Sequence, residues 1–325
     1  MILEQPSVRF EAIHSILSSG GNILTVSELC ETAGVSRSGY YRWLSAAGAR
    51  EKREAQDRED FELILEAYRH RGYQKGARSI YMSLLHRDPP VVMNVKKIRR
   101  LMDKYGLSCP IRKANPYRRM AKALRTSNVA DNLLKREFRK NGPRMILLTD
   151  ITYLPYNGVF AYLSTVLDAF TKQVLAYVTS PSLEVDFVLE TVDILIREHG
   201  AELKTKTLLH SDQGCHYTSY SYIDLLKDSS LRQSMSRKGN CWDNAPQESF
   251  FGHMKDEIDI SGCQAFDEVK AVIDDWMDYY NNERYQWQLA RLSPNEYYQY
   301  IQTGVYPLPV NNIPPIPEFG EPEDN

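Results

Sequence analysis

RMILLTDITYL at residues 144–154, followed by GVFAYLSTVLDAFTKQVLAYVTS at residues 158–180, is the stretch on which the fold turns. Its apolar residues come in short runs rich in β-branched and aromatic types. That pattern predicts a strand ending at the acid Asp150, then two strands joined by a turn near Phe170 to Gln173. Downstream, Leu183 to His199 has the period of an amphipathic helix, and TLLHSDQG (207–214) reads as a buried strand running into Asp212. A helix around Tyr220 to Leu226, a short strand near Arg232 to Ser236 and a helix from Ala245 complete the series. Residues 144–262 are therefore expected to form an α/β core, a mixed five-stranded sheet with helices.

This order puts three acids at the ends of elements. Asp150 closes the first strand, Asp212 follows the fourth, and Glu248 lies in the first turn of the helix after SRKGNCWDNAP (236–246). In such a sheet the three carboxylates converge on one edge. Oxygen ligands of this kind suit hard cations, Mg²⁺ with Mn²⁺ as a substitute. A pair of them roughly 4 Å apart is what phosphoryl transfer asks for, because it needs little covalent help from protein. A third carboxylate on a mobile helix would let the two ions bind productively only once the substrate has docked. Lys255 is two helical turns beyond Glu248 and so shares its face, where a cation can hold a phosphate or a base. His210 and His216 flank Asp212, but hard cations prefer oxygen, and both are read as structural. Trp242 and Asn244 could meet DNA; equally, Trp242 could anchor the loop, and the residues alone do not decide.

The upstream residues have the opposite charge. Residues 1–144 hold 28 Lys+Arg against 15 Asp+Glu, and the remainder 12 against 27, so a net charge of -2 hides a basic half and an acidic half. Between Arg69 and Arg144 there are 21 basic and 4 acidic residues. A segment so positive needs a polyanion, and nucleic acid is the natural one. Upstream of it, TVSELCETAGVSRSGYYRWL (25–44) has helix-turn-helix spacing, with Ser27 as a cap, Gly34 as the turn and a second helix starting near Ser36. Val26, Leu29, Val35, Tyr40 and Leu44 would pack inward, leaving Arg37, Ser38, Tyr41 and Arg42 to face a DNA groove. A charged helix over Ala55 to His70 follows, then two amphipathic helices. The second is capped by Asn94 and presents Lys96, Lys97, Arg99 and Arg100 beside an apolar stripe of Val95, Ile98, Leu101 and Met102.

The expected organisation is a helix-turn-helix domain at 1–48, a second helical DNA-binding domain at 49–106, a basic linker at 107–143, the core at 144–262, a helical extension at 263–305 and a proline-rich acidic tail at 306–325. In the extension Arg284, Tyr285 and Trp287 are read as packing back on the core, and the tail as loosely ordered. No apolar run approaches the 18 or more residues that would span a bilayer, and the N-terminus lacks the pattern of a secretory signal. A cytoplasmic protein at the nucleoid, without a membrane partner, is expected. Five scattered cysteines with no CxxC pair argue against a disulfide framework or a thiolate zinc site.

Four longer strings point further: TDITYL around Asp150, HSDQGCHYTS around Asp212, RKGNCWDNAPQESFFGHMKDE around Glu248, and YYNNERYQWQLARLSPNEY (279–297). With them, and with 35 residues between Asp212 and Glu248, the chain resembles the retroviral-integrase-like transposases of bacterial insertion sequences, the OrfB type of insertion-sequence family three, over about residues 20 to 300. The resemblance implies a ribonuclease H-like catalytic core preceded by all-α helix-turn-helix DNA-binding units. It implies catalytic and metal-binding roles for Asp150, Asp212 and Glu248, and a grip on the transposon end for Lys255. Double-stranded DNA, as transposon ends and as target, is then the partner. Pairing of ends implies at least a homodimer on DNA, and an upstream reading frame can supply a further DNA-binding segment. A ribonuclease H-like nuclease would share the acids without needing the basic helices, and a non-catalytic DNA-binding regulator would leave the acids idle.

Overall fold

The computed structural model describes residues 5–73, 75–109, 142–203, 206–229, 231–236 and 244–320. The chain divides into two compact units, Met1–Glu66 and Ala67–Asn325. The boundary therefore falls inside the segment 49–106 that the sequence grouped as one helical domain.

In the first unit α1 (Pro6–Ser18), α2 (Val26–Thr32) and α3 (Arg37–Ser45) surround a small core of Ile13, Leu29, Cys30 and Tyr40, and α4 (Ala47–Arg69) starts there. Helix α2 is capped by Thr25 rather than Ser27. Thr25 and Glu28 form a reciprocal capping box, which satisfies two backbone donors where a lone serine would satisfy one. Gly34 makes the following turn at φ +65, and the Ser36 side chain caps α3. Val26, Val35 and Leu44 pack partly against this core, as their spacing predicts.

The second unit is built on a five-stranded sheet. β1 (Ile146–Tyr156), β2 (Val159–Asp168) and β3 (Val174–Ser180) form an antiparallel meander; β4 (Leu208–Ser211) lies parallel to β1, and β5 (Arg232–Met235) parallel to β4. The order is β3-β2-β1-β4-β5. Between these strands come α7 (Asp186–His199) and α8 (Tyr220–Asp228), and after them α9 (Ala245–Glu257) and α10 (Phe266–Asn282). This is the ribonuclease H-like arrangement. Alternation along β1 feeds two cores. Ile146 and Leu148 face Phe250, Phe251 and Met254 of α9 and Trp276 of α10, whereas Leu147 faces Val188 and Leu195 of α7 and Leu226 of α8.

β1 does not end at Asp150. It runs on to Tyr156 because β2 pairs with it to the Asn157–Gly158 hairpin turn, while β4 pairs only with Ile146 to Leu148. Asp150 thus marks the end of the parallel β1–β4 ladder, not of the strand.

The helices α5 (Ala77–Leu85) and α6 (Val95–Lys104) belong to this second unit. Leu85 shares a buried cluster with Phe170, Leu289, Tyr297 and Tyr300, the last two on α11 (Pro294–Thr303). Arg71, just before α5, pairs with Asp275 at 3.2 Å and Asp278 at 2.8 Å on α10. Tail residues 306–320 make contacts that their composition does not announce. Leu308 is buried, Tyr300 Oη donates to the Pro314 carbonyl at 2.7 Å, and the Phe319 ring meets that of Phe170 with centroids 5.3 Å apart. Aromatic spacing, invisible to a composition argument, holds it. The expected linker is outside the described residues over 110–141, as is Cys241; the other four cysteines are not paired in disulfides. Among the described residues no helix is long and apolar enough to cross a membrane.

Candidate active site

Asp150 shares strand parity with Ile146 and Leu148, so its side chain emerges on the face covered by α9, the helix that carries Glu248 in its first turn. Asp212 follows β4, the strand beside β1. The sheet therefore sets Asp150 on β1 and Asp212 just past the end of the neighbouring β4, while Glu248 lies in the first turn of α9. Asp150 is half-buried, whereas Asp212 and Glu248 are exposed.

Hydrogen bonds fix the first two carboxylates. Asp150 Oδ1 accepts from the Ile151 N–H at 2.8 Å, and its Oδ2 accepts from Asn244 Nδ2 at 3.3 Å. Asp212 Oδ1 accepts from the Gly214 N–H at 2.8 Å. A Cβ at position 214 would stand 2.9 Å from that same oxygen, so glycine there leaves room for the carboxylate to fold back on its own loop.

The electrostatics show that these acids sense one another. Loss of hydration around its carboxyl, then the charge of Asp212, push the pKa of Asp150 up to about 8; the Ile151 N–H opposes this, Glu248 adds to it and Lys255 relieves it. Lys255 is exposed on α9 two turns beyond Glu248, as its spacing predicts. Yet among the described residues no group of three His, Cys, Asp or Glu side chains is set closely enough to hold a metal ion. The charge of Asp212 weighs more on Asp150 than that of Glu248 does. In kind the donors fit a hard cation: three carboxylates with oxygen lone pairs, and an excess of negative charge that burial leaves uncompensated.

The histidines behave structurally. His210 is buried with Nδ1 2.9 Å from Ser234 Oγ, and His216 Nε2 donates to the Leu183 carbonyl at 3.0 Å. Another acid, Asp168, is wholly buried at the opposite end of β1, where Arg144 Nη1 pairs with it at 2.9 Å and the Phe170 N–H donates to it at 2.8 Å. It is a structural carboxylate.

Two residues near the acids escaped the sequence reading. Gln247 is fully buried and its Nε2 donates to Thr165 Oγ1, on the residue that pairs with Asp150 across β1 and β2. Asn244, read from the sequence only as able to meet DNA, is buried and donates to Asp150; Trp242 lies outside the described residues. A signal for Gln247 exists: with Phe250, Phe251 and Met254 it occupies one helical stripe, and a polar residue at the head of an apolar stripe marks a buried tie.

Of the expected DNA contacts, Arg37, Ser38, Tyr41 and Arg42 are all exposed on α3 in the first unit. In the second unit Lys96, Arg99 and Arg100 are exposed on α6 and Lys97 is half-buried, while Ile98, Leu101 and Met102 are buried, as the stripe predicts. In the C-terminal extension Arg284 packs inward on Glu257 at 2.7 Å and Tyr285 stacks on His86, but Trp287 remains half exposed.

Comparison with known proteins agrees with this architecture. Two family models described as Integrase core domain match residues 140–241 and 229–294, and one described as HTH-like domain matches residues 55–115. InsK, for insertion sequence element IS150 of Escherichia coli (strain K12), is 33% identical over 273 residues, covering 84% of this chain and 93% of the relative. The transposase InsF for insertion sequence IS3A of the same strain is 28% identical over 278 residues, with 84% and 93% covered. Among solved structures, the simian T-cell lymphotropic virus intasome in complex with PP2A regulatory subunit B56 gamma matches with a TM-score of 0.41 and 15% identity, over 79% of this chain and 78% of that one. The sheet order, the placement of the acids and a relative of this identity along most of both chains lead to one assignment: the chain belongs to the transposases of insertion-sequence family three, which carry an integrase core domain.

Proposed function

We propose that this transposase hydrolyses a phosphodiester at each end of its element and then joins the freed 3′ hydroxyl to target DNA, with Asp150, Asp212 and Glu248 as the catalytic carboxylates. The observation that carries the proposal is the meeting of Asp150 and Asp212 on adjacent strands under the first turn of α9, close enough for Asp212 to raise the pKa of Asp150. These three side chains would hold two Mg²⁺ ions, or Mn²⁺ in their place, which supply activation of the attacking oxygen and stabilisation of the leaving one. Asp150, Asp212 and Glu248 together would offer the oxygen ligands. The Ile151 and Gly214 N–H groups and the Asn244 amide orient the two aspartates, so little reorganisation is left for the moment of reaction. Lys255 lies where it can hold a phosphate beside Glu248.

The basic helices would bring the DNA. Arg37, Ser38, Tyr41 and Arg42 on α3 present a recognition surface, and Lys96, Lys97, Arg99 and Arg100 on α6 a second. Work on two ends calls for at least a dimer on DNA, and the product of an upstream reading frame is a further partner. The test uses the full chain, Mg²⁺ and oligonucleotides taken from the DNA flanking the gene. Joined products support strand transfer; cleavage without joining would reduce the protein to a nuclease, and neither would overturn the reading.

A further inference from the structure

Beyond Asp150, β1 pairs with β2 on one side and, among the described residues, with no strand on the other, because β4 ends its pairing with Leu148 at His210. On this free arm Tyr153 pairs with Tyr162, and Phe160 lies two residues further along the same face. Tyr153 is 48% exposed and Phe160 49%, whereas Trp276 and Tyr222 in the cores of the same unit are fully buried. Tyr153 meets the Tyr162 ring edge-on with centroids 5.3 Å apart and the Phe160 ring at 6.3 Å, so both exposed rings are braced. The tight Asn157–Gly158 turn, with φ of 40 and 77, fixes the hairpin that bears them.

The patch stands at the acids. Tyr153 is three residues from Asp150, about 10 Å along a strand. Although the two side chains leave opposite faces of β1, the strand edge between them is open. The Tyr153 phenol accordingly lies within electrostatic reach of Cys215, Asp212 and Asp150. The half of the chain that holds this site is strongly acidic, with 27 Asp+Glu against 12 Lys+Arg, so charge alone gives DNA little hold here. Stacking can, because every base has a π-face and the contact needs no counter-charge.

We propose that Tyr153 and Phe160, braced by Tyr162, form a stacking platform for an unpaired base of the DNA strand whose phosphodiester lies at the carboxylates. The platform rests on the reading of the site as a DNA-cutting centre. A base leaving the duplex loses its stacking partners, and these rings replace them, which favours frayed or single-stranded DNA over an intact duplex at this edge.

The test is binding, not turnover. A forked duplex carrying 2-aminopurine in its unpaired 3′ arm is titrated with the full chain, and fluorescence quenching reports stacking. The wild type and Tyr153→Phe should quench it. Tyr153→Ala and Phe160→Ala, which truncate exposed rings, should lose the quench and bind the fork about 10-fold to 100-fold more weakly, with binding to blunt duplex little changed. Quenching by folded Tyr153→Ala and Phe160→Ala as deep as that by wild type would overturn the platform. So would loss of the quench together with a changed oligomeric state in sedimentation, which would assign the rings to a contact between copies. Asp150→Asn separates the two readings, since it should abolish cleavage and leave the quench intact.

Discussion

Asp150 carries the main electrostatic tension of the site. Its pKa of about 8 means that the folded chain, free of metal, holds a proton that the unfolded chain gives up in the ordinary carboxylate range. Below that range both states are protonated and the group costs nothing. Stability is then lost progressively as pH rises toward 8, and the full penalty stands above it. Metal-free wild type should therefore show a Tm that falls across this window, while Asp150→Asn, which cannot ionise, should flatten the trend. Adding Mg²⁺ should raise the wild-type Tm more at the alkaline end than at the acid end, because the ion competes with the proton for the same oxygens. Thermal melts with and without Mg²⁺ measure this directly, and identical pH profiles for the two proteins would contradict it.

The elements explain why the acids stand where they do. β1 has Arg144 at its start, where the guanidinium is 4% exposed and pairs with the wholly buried Asp168 as well as with Glu202 at 2.7 Å. Arg144→Met would leave Asp168 charged and unpaired in the interior, at a cost of about 3–5 kcal/mol. Urea unfolding should show that loss, whereas Glu202→Gln, touching a residue 40% exposed, should cost less than about 1 kcal/mol. Much at this scale was legible in the sequence. The strand run from Arg144, the turn at Phe170 to Gln173, the Asn94 cap and the apolar stripe of α6 are local patterns, and local patterns survive into the fold. What stayed hidden depends on partners distant in sequence. The length of β1 is set by β2 rather than by its own residues, and the Gln247 tie needs Thr165, which nothing near Gln247 announces. Likewise the tail looked disordered by composition, yet Tyr300, Arg291 and Phe170 hold it from afar.

At the scale of the molecule, charge divides the labour. The basic residues lie upstream and the acids downstream, so on the proposed function DNA affinity and chemistry reside in different parts of one chain. If α3 grips phosphates through Arg37 and Arg42, replacing both with alanine should lower the dependence of log K on log salt by about 2 and weaken binding across sequences alike. An unchanged slope, read from filter binding over a salt series, would remove those residues from the interface. The sequence disclosed this division and the order of the elements that bear the three acids. The account rests in the end on those acids. Strand transfer on end-bearing oligonucleotides with Mg²⁺, comparing wild type with Asp150→Asn, Asp212→Asn and Glu248→Gln, tests it most directly. Each variant should bind DNA normally and lose more than the about 10-fold to 100-fold that removal of a supporting partner costs a metal site. Strand transfer at the wild-type rate in any one of them would contradict the central claim.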